Sequence, residues 1–205
     1  MVIKNIIFDL GGVILNLDQD RTLKAFEKLG ADLAAYNEKL SIFKDFETGK
    51  IDAATFTRVL HQELNGKAST QQIEEAWNKM LLNLPSERVD YVRQLKQRYR
   101  LILLSNTNTL HIDEVYRIYG KEIFEDLFED IYLSHEIGLR KPDVACYQYV
   151  INHSHLKASE TVFVDDSKVN LSGAQAAGLS TIWAHEPLDL WFEQELKGLE
   201  YLQMN

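Results

Sequence analysis

The sequence predicts an α/β protein: a parallel sheet covered by helices on both faces and interrupted once by a helical insertion. Short runs rich in Ile and Val alternate with helical patterns before residue 17 and again after residue 83, and this alternation is typical of parallel sheets. Residues 17–83 contain several helical patterns and no convincing strand. We therefore expect a sheet core formed by residues 1–16 and 84–205, with residues 17–83, called the insertion below, as a separate helical unit.

Five strands are expected in the core. Four of the runs are short, apolar and β-branched, as expected for strands that are buried on both faces, and "DIYLS" is a weaker fifth. In chain order the runs are "VIKNIIFD" (2–9), "RLILLSN" (100–106), "DIYLS" (130–134), "TVFVDD" (161–166) and "STIWA" (180–184).

Helical patterns lie between these strands. Ser86 is a candidate N-cap for the first helical segment, residues 86–99. Pro142 suits the first turn of the second segment, residues 143–154, and Gly178 is a candidate C-cap for the third, residues 169–179. The three core segments are "SERVDYVRQLKQRY" (86–99), "DVACYQYVINHS" (143–154) and "VNLSGAQAAGL" (169–179).

The insertion contains patterns of the same kind. Its clearest helical segments are "DRTLKAFEKLG" (20–30) and "DAATFTRVLHQELNG" (52–66), and "LNLPSE" (82–87) is expected to lead the chain back to the core. Glycines at 30, 49 and 66 stand at expected helix ends.

Composition and charge exclude some classes of function. The 205 residues carry a formal net charge of −9, which argues against general nucleic-acid binding because no basic excess exists to neutralise phosphates. No run of about 18 apolar residues predicts a membrane span, and the start "MVIKNIIFDL" lacks the features of a secretory signal. The single cysteine, Cys146, cannot form an internal disulfide. We therefore expect a cytoplasmic protein.

Polar residues stand where the expected strands end. In open α/β sheets, ligands gather at the carboxyl ends of the strands, near the point where strand order reverses. A carboxylate there can attack phosphorus and form an acyl phosphate. Mg²⁺, which prefers oxygen ligands, would reduce the repulsion between that carboxylate and a phosphate ester. Hydroxyl and ammonium groups can hold the phosphoryl oxygens. The polar residues are Asp9, Ser105, Asn106, Lys141, Asp165 and Asp166.

Four segments in order, "FDLGGV", "LLSNTN", "GLRKPD" and "FVDDSKVNLSGA", resemble the four motifs of the haloacid dehalogenase-like (HAD) hydrolase superfamily. The resemblance covers the sheet core, and the insertion occupies the position of that family's helical cap. It implies a Rossmann-like parallel sheet and Mg²⁺-dependent hydrolysis of a small phosphorylated metabolite by way of an aspartyl phosphate.

The resemblance also implies a role for each matching residue. Asp9 would be the nucleophile. Asp9, Asp166 and the main-chain oxygen of Gly11 would hold Mg²⁺. Lys141 would hold the phosphoryl group together with Ser105 and Asn106. Asp165 would orient Lys141 or support the metal indirectly, and Asn170 would support the water molecules around the metal.

One departure from the family pattern concerns residue 11. Phosphatases of the family usually carry a second aspartate there, which protonates the leaving alkoxide, whereas this chain has Gly11. General acid–base help contributes about 10²–10⁴-fold in rate. Three readings are open: the leaving group needs little protonation, as in a sugar 1-phosphate; Asp18 or a substrate hydroxyl supplies the proton; or the domain no longer turns over.

We favour the first reading. A first motif with glycine at residue 11, together with the segments "LSNTN" and "LRKP", resembles a bacterial subgroup of the family that acts on α-D-glucose 1-phosphate. The expected substrate is a sugar phosphate of this kind. The protein itself is expected to be a monomer or a homodimer. The alternatives are a non-catalytic phosphate-binding domain and a metal-independent dehalogenase. Elsewhere, "FETGKID" (46–52) is a candidate specificity loop over the site, Arg21 is a weaker candidate for substrate contact, and Cys146 is expected in the core.

Overall fold

The computed structural model describes residues 2–31, 41–185, 192 and 194–198. Within them the strands form one parallel sheet with the order β3-β2-β1-β4-β5, which confirms the expected fold class. The strands are β1 (Asn5–Phe8), β2 (Arg100–Ser105), β3 (Asp130–Leu133), β4 (Thr161–Asp165) and β5 (Ser180–Trp183). Each lies within a run that the sequence predicts.

The order of the strands identifies the carboxyl end of β1 as the ligand-binding position of this sheet. The chain leaves β1 through the insertion, returns to β2 on one side and later adds β4 on the other side. Phe8 is in register with Leu103 of β2 and with Val164 of β4. Strand order therefore reverses at β1, and residue 9 emerges at the point where an open α/β sheet binds its ligands.

The two faces of the sheet bury separate hydrophobic clusters. Ile6 and Phe8 pack into one cluster and Ile7 into the other, because successive side chains of a strand point to opposite faces. All three are completely buried. Helices cover both faces, which accounts for the continuous apolar character of the strand sequences.

The core helices follow the expected segments, but the caps differ at all three; the third has Ala177 at its C-cap, one residue before Gly178. The helix predicted to begin after a Ser86 cap has Ser86 as its first residue, with Pro85 at the N-cap. Pro142 lies before the next predicted helix, whose N-cap is Asp143. The described helices, numbered after four in the insertion, are α5 (Ser86–Leu95), α6 (Thr109–Tyr119), α7 (Lys121–Leu127), α8 (Ser134–Ile137), α9 (Val144–His153) and α10 (Lys168–Ala176).

The described part of the insertion is helical and has its own hydrophobic cluster. Its centre is aromatic: the rings of Phe46 and Phe56 stack with their centroids 4.3 Å apart, and Phe56 and Trp77 lie 4.9 Å apart. The helices are α1 (Gln19–Lys28), α2 (Ile42–Glu47), α3 (Ala53–Glu63) and α4 (Thr70–Trp77), followed by a 3₁₀ turn at Asn78–Met80.

The two connections between insertion and core run side by side. Leu17 pairs with Leu81 in an antiparallel bridge. The main-chain N–H of Asn16 donates to the oxygen of Asn83 over 3.0 Å. These contacts join residues 16–18 to residues 80–83, so the proposed boundaries at 16/17 and 83/84 fall within one paired segment. Among the described helices, none has the length and apolar character required to cross a bilayer.

Candidate active site

Asp9 leaves β1 and stays buried at the carboxyl edge of the sheet. Its main-chain N–H donates to the oxygen of Val164 over 2.9 Å, which continues the pairing of β1 with β4 by one residue. The N–H of Leu10 donates to Asp9 Oδ1 over 2.7 Å. The backbone therefore fixes one carboxylate oxygen of Asp9.

Lys141 bridges two of the carboxylates. Its Nζ lies 2.8 Å from Asp9 Oδ1 and 2.7 Å from Asp165 Oδ2, and the Lys141 and Asp165 side chains are at most 1% exposed. Asp165 also accepts hydrogen bonds from the N–H of Ser167 and the side-chain amide of Asn170. These contacts place Asp165 where it can orient Lys141 toward Asp9.

Asp166 joins Asp9 and Asp165 to form a cluster in which one oxygen of each carboxylate lies within 4.8 Å of the others. Burial raises the pKa of Asp9 to about 7; the charges of Asp165 and Asp166 add to the rise, whereas Lys141 opposes it. Burial and the charge of Asp165 also raise the pKa of Asp166. Crowded carboxylates of this kind fit a divalent cation, which would remove the repulsion. Asp9 and Asp166 are its candidate ligands, with the main-chain oxygen of Gly11.

Asn106 contacts the Lys141 segment rather than pointing freely into the site. Its side-chain amide donates to the main-chain oxygen of Lys141, and its side-chain oxygen accepts from the Lys141 N–H, each over 2.9 Å. This pair of bonds joins the end of β2 to the loop before α9. Direct substrate contact by the Asn106 side chain stays a prediction, and the observed contact is with the main chain of Lys141.

A cavity of ≈ 580 Å³ lies above this edge of the sheet. Predicted site residues on its wall include Ser105, while Lys141 and Asp165 lie buried behind the wall. Core and insertion both contribute to the wall: Asp9, Leu10, Gly11, Leu15, Leu17, Gln19, Thr22, Leu23, Phe43, Glu47, Trp77, Met80, Leu81, Ser105, Asn106, Thr107, His111, Ile112, Val115, Asp166, Ser167 and Asn170.

The two charged residues suggested at the start of the insertion do not reach this cavity. Asp18 and Arg21 pair with each other, with 3.2 Å between Asp18 Oδ2 and Arg21 Nε, and both are exposed to a large extent. Neither residue is part of the cavity wall. The reading in which Asp18 replaces the missing acid therefore has no support in the geometry.

Glu47 is the residue that the sequence did not single out. It ends α2 and lines the same cavity as Asp9. Its Oε2 lies 2.9 Å from a guanidinium nitrogen of Arg140, the residue before Lys141. The only sequence signal for it is its place in "FETGKID", the segment proposed as a loop over the site.

Cys146 is buried, as expected for a core residue. Burial raises the pKa of its thiol to about 11. A thiol that remains protonated at neutral pH is a poor nucleophile.

The chain is similar to several known proteins. The family model for haloacid dehalogenase-like hydrolase matches residues 3–178. D-ribitol-5-phosphate phosphatase from Bacteroides thetaiotaomicron is 32% identical over 203 residues, covering 95% of this chain and 97% of the relative. A sesquiterpene phosphatase from Aspergillus oryzae is 27% identical over 181 residues, covering 86% of this chain and 87% of the relative.

A similar solved structure is a HAD family enzyme from Bacteroides thetaiotaomicron, with a TM-score of 0.86 and 34% identity over 94% of this chain and 99% of that one. The wild-type enzyme was also solved in complex with magnesium and inorganic phosphate; that structure gives a TM-score of 0.82 and 35% identity over 90% of this chain and 96% of that one. The family-model match and the similarity to D-ribitol-5-phosphate phosphatase show that the chain belongs to the haloacid dehalogenase-like hydrolases.

Proposed function

We propose that this protein is a Mg²⁺-dependent phosphatase that hydrolyses small phosphorylated sugars or sugar alcohols through an aspartyl phosphate on Asp9. The observation that carries the proposal is the position of Lys141 Nζ, within 2.8 Å of both the Asp9 and Asp165 carboxylates. The buried ammonium group of Lys141 thereby contacts the attacking Asp9 carboxylate. There it can also stabilise the negative charge that a phosphoryl group gains during transfer.

The proposed reaction has two steps. Asp9 attacks phosphorus, the bond from phosphorus to the substrate oxygen breaks, and the phosphoryl group rests on Asp9. Water then attacks the phosphorus, which releases phosphate and restores Asp9. Lys141 and the Ser105 hydroxyl hold the phosphoryl oxygens in both steps, and Asp165 keeps Lys141 in place.

Mg²⁺ bound by Asp9, Asp166 and the Gly11 oxygen would neutralise charge between the carboxylate and the phosphate ester. The raised pKa of Asp9, caused first by its burial, supports this part of the proposal because a cation at the cluster would favour the ionised nucleophile. If the protein were a metal-independent dehalogenase, the cluster of Asp9, Asp165 and Asp166 would have no metal to bind.

The substrate class follows from the cavity and the relatives. A volume of ≈ 580 Å³ lies within the range of pockets that bind small metabolites. The relative named D-ribitol-5-phosphate phosphatase favours a phosphorylated sugar alcohol, and the sequence motifs favour α-D-glucose 1-phosphate. The two differ at the leaving oxygen: a primary alcohol needs a proton more than an anomeric oxygen does.

We also propose that residues 17–83 act as a cap over this site. Phe43, Glu47 and Trp77 of the insertion line the cavity with Asp9, so insertion and core both border the space that a substrate would occupy. Closure of such an element excludes water from the first step. A cytoplasmic location, consistent with the single buried thiol of Cys146, belongs to the same proposal.

The first prediction tests the activity. Purified protein with Mg²⁺ should release inorganic phosphate from members of a panel that contains α-D-glucose 1-phosphate, D-ribitol 5-phosphate and other sugar and polyol phosphates. Asp9→Asn should abolish release because the nucleophile is gone, and EDTA should abolish it reversibly. Asp90→Asn is the matched control, since the Asp90 side chain is 66% exposed, pairs with Arg93 and is not part of the cavity wall.

A wild-type protein that releases no phosphate from any member of the panel contradicts the proposal. If calorimetry then shows that the same esters bind without turnover, the protein is the non-catalytic phosphate-binding domain that Gly11 allows. Equal activity with and without EDTA would contradict the role of the metal.

A further inference from the structure

We propose that Glu47, which the insertion places on the wall of the active-site cavity, is the catalytic acid and base that replaces the carboxylate missing at residue 11. This inference rests on the proposed phosphatase function. It extends that function by naming the residue that protonates the leaving oxygen, and it predicts that esters of ordinary alcohols are substrates as well as sugar 1-phosphates.

The usual position of the acid has no side chain in this protein, and a leucine side chain lies beside it. A Cβ atom built on Gly11 would lie 2.5 Å from Cδ1 of Leu17. The Leu17 side chain, which lines the cavity, therefore occupies the space into which a side chain at residue 11 would extend. A proton supplied by the protein would therefore come from another part of the wall.

Few groups on the wall can supply that proton. Among the described residues that line the cavity, the titratable side chains are Asp9, Glu47, His111 and Asp166. Asp9 is the proposed nucleophile and Asp166 a proposed metal ligand, so Glu47 and His111 remain.

His111 is fully engaged in other contacts. Its Nε2 lies 3.2 Å from the main-chain oxygen of Trp77, which can only accept a hydrogen bond. Nε2 therefore carries the ring proton, and Nδ1 accepts from the side-chain amide of Asn108 over 3.2 Å. Burial also lowers the pKa of His111 to about 4, so the ring is neutral at the pH of the reaction.

Glu47 has the environment of an acid that can exchange a proton. Burial raises the pKa of its carboxyl group, and the charges of Arg140 and Lys141 oppose the rise. Its side chain is 27% exposed and is held by one ion pair, to Arg140. A carboxyl group that is partly desolvated, lines the cavity and has one cationic partner can act as an acid in one step and a base in the next.

The proton balance of the two steps is complete with this one residue. In the first step the Oδ–P bond to Asp9 forms, the P–O bond to the substrate breaks, and protonated Glu47 gives its proton to the leaving oxygen. In the second step Glu47, now a carboxylate, takes a proton from the water that attacks phosphorus. The P–O bond to Asp9 breaks, and Glu47 is protonated again for the next turnover.

The test compares two leaving groups in Glu47→Gln and wild type with saturating Mg²⁺. The polyol phosphate that wild type hydrolyses best has an alkoxide leaving group, which needs a proton. The leaving group of p-nitrophenyl phosphate is p-nitrophenolate, which is stable without one. In Glu47→Gln the first turnover of the polyol phosphate, followed by rapid quench, should slow by about 10²–10⁴-fold. The first-turnover burst of p-nitrophenolate should stay within a few-fold of wild type. Glu75→Gln, a change on an exposed side chain of α4 outside the cavity, should alter neither rate.

A second measurement uses the pH profile. Because Arg140 lowers the pKa of Glu47, Arg140→Gln should move the alkaline limb of the single-turnover rate for the polyol phosphate to higher pH, and Glu47→Gln should remove that limb. Equal slowing of both leaving groups in Glu47→Gln, or a change in KM alone, overturns the inference while the phosphatase proposal stands. If wild type hydrolyses neither ester, the proposed function itself fails.

Discussion

Gly12 and Asp166 contact each other so closely that residue 12 has no room for a side chain. A Cβ atom at residue 12 would lie 2.3 Å from Asp166 Oδ2, and the φ angle of Gly12 is +77°. Glycine alone adopts that backbone conformation without strain. The group that approaches residue 12 so closely, Asp166, is a proposed metal ligand.

We predict that Gly12→Ala weakens Mg²⁺ binding more than it weakens the fold. The added methyl group must push the Asp166 carboxylate aside, and that side chain can move more easily than backbone. Calorimetry or Mg²⁺-dependent activity should show at least a tenfold loss of apparent Mg²⁺ affinity. Gly30→Ala is the control, since residue 30 also has a positive φ of +87° but no atom within 4 Å of the added Cβ. Both changes should cost roughly 1 kcal/mol of stability from backbone strain. Equal Mg²⁺ affinity in the two variants would contradict the prediction.

The sequence reveals individual site residues when they stand next to a strand end. Asp9, Ser105 and Asp166 could be found this way, because the carboxyl ends of parallel strands share one edge of the sheet. Residues whose role depends on side-chain packing could not: Leu17 fills the space beside Gly11, and Glu47 reaches the cavity from the insertion. No local pattern encodes those contacts.

The turn between α2 and α3 is the element that brings the insertion against the core near the site. A Cβ atom at residue 49 would lie 2.1 Å from the main-chain oxygen of His135 in α8, and the φ angle of Gly49 is +67°. Glu47 lies two residues earlier and pairs with Arg140. The contact at Gly49 therefore helps to place α2 over the cavity.

We predict that Gly49→Ala lowers kcat/KM by separating this turn from α8. The obstacle is a main-chain oxygen, which cannot rotate away, so the turn itself has to shift and carry Glu47 with it. Steady-state kinetics with the polyol phosphate should show a loss of about tenfold or more, since small displacements of positioning groups are costly. Gly30→Ala again controls for positive φ within the insertion. If both variants keep wild-type kcat/KM, the close contact at residue 49 has no part in placing α2.

Elements of secondary structure were the most predictable feature of this chain. The strands combine short apolar runs with flanking turns, so each of the five strands lies within its predicted segment. Helix ends were less predictable: the cap at α5 is Pro85 rather than Ser86, because a serine at a helix start can be either the cap or the first helical residue. Capping depends on one backbone angle that the sequence pattern does not fix.

At the scale of the whole molecule, a second contact joins the insertion to the core beside the cavity. The rings of Trp77 and His111 stack with their centroids 5.0 Å apart. The Trp77 indole N–H donates to Asn108 Oδ1, which also caps α6 by accepting from the His111 N–H. Insertion and core therefore share one polar network at the cavity wall.

This network makes the stability of the protein depend on pH in a predictable direction. Burial lowers the pKa of His111 from 6.5 to about 4, so the unfolded chain binds a proton in this range that the folded protein does not. Stability is therefore lost as pH falls from about 6.5 through 4, by up to about 3 kcal/mol for this one group. A charged imidazolium would also lose the Asn108 contact, because its Nδ1 could no longer accept.

We predict that His111→Gln flattens this part of the stability profile, because glutamine does not titrate. The free energy of unfolding, measured with urea at several pH values between 7 and 4.5 without divalent cation, should fall less steeply in the variant than in wild type. The variant will be less stable at pH 7, since it loses the stacking on Trp77, so the difference between the two proteins should narrow as pH falls. His153→Gln makes the same change at an exposed histidine and should follow wild type throughout. Parallel profiles for wild type and His111→Gln would contradict the prediction and would mean that the contact between insertion and core opens before His111 is protonated.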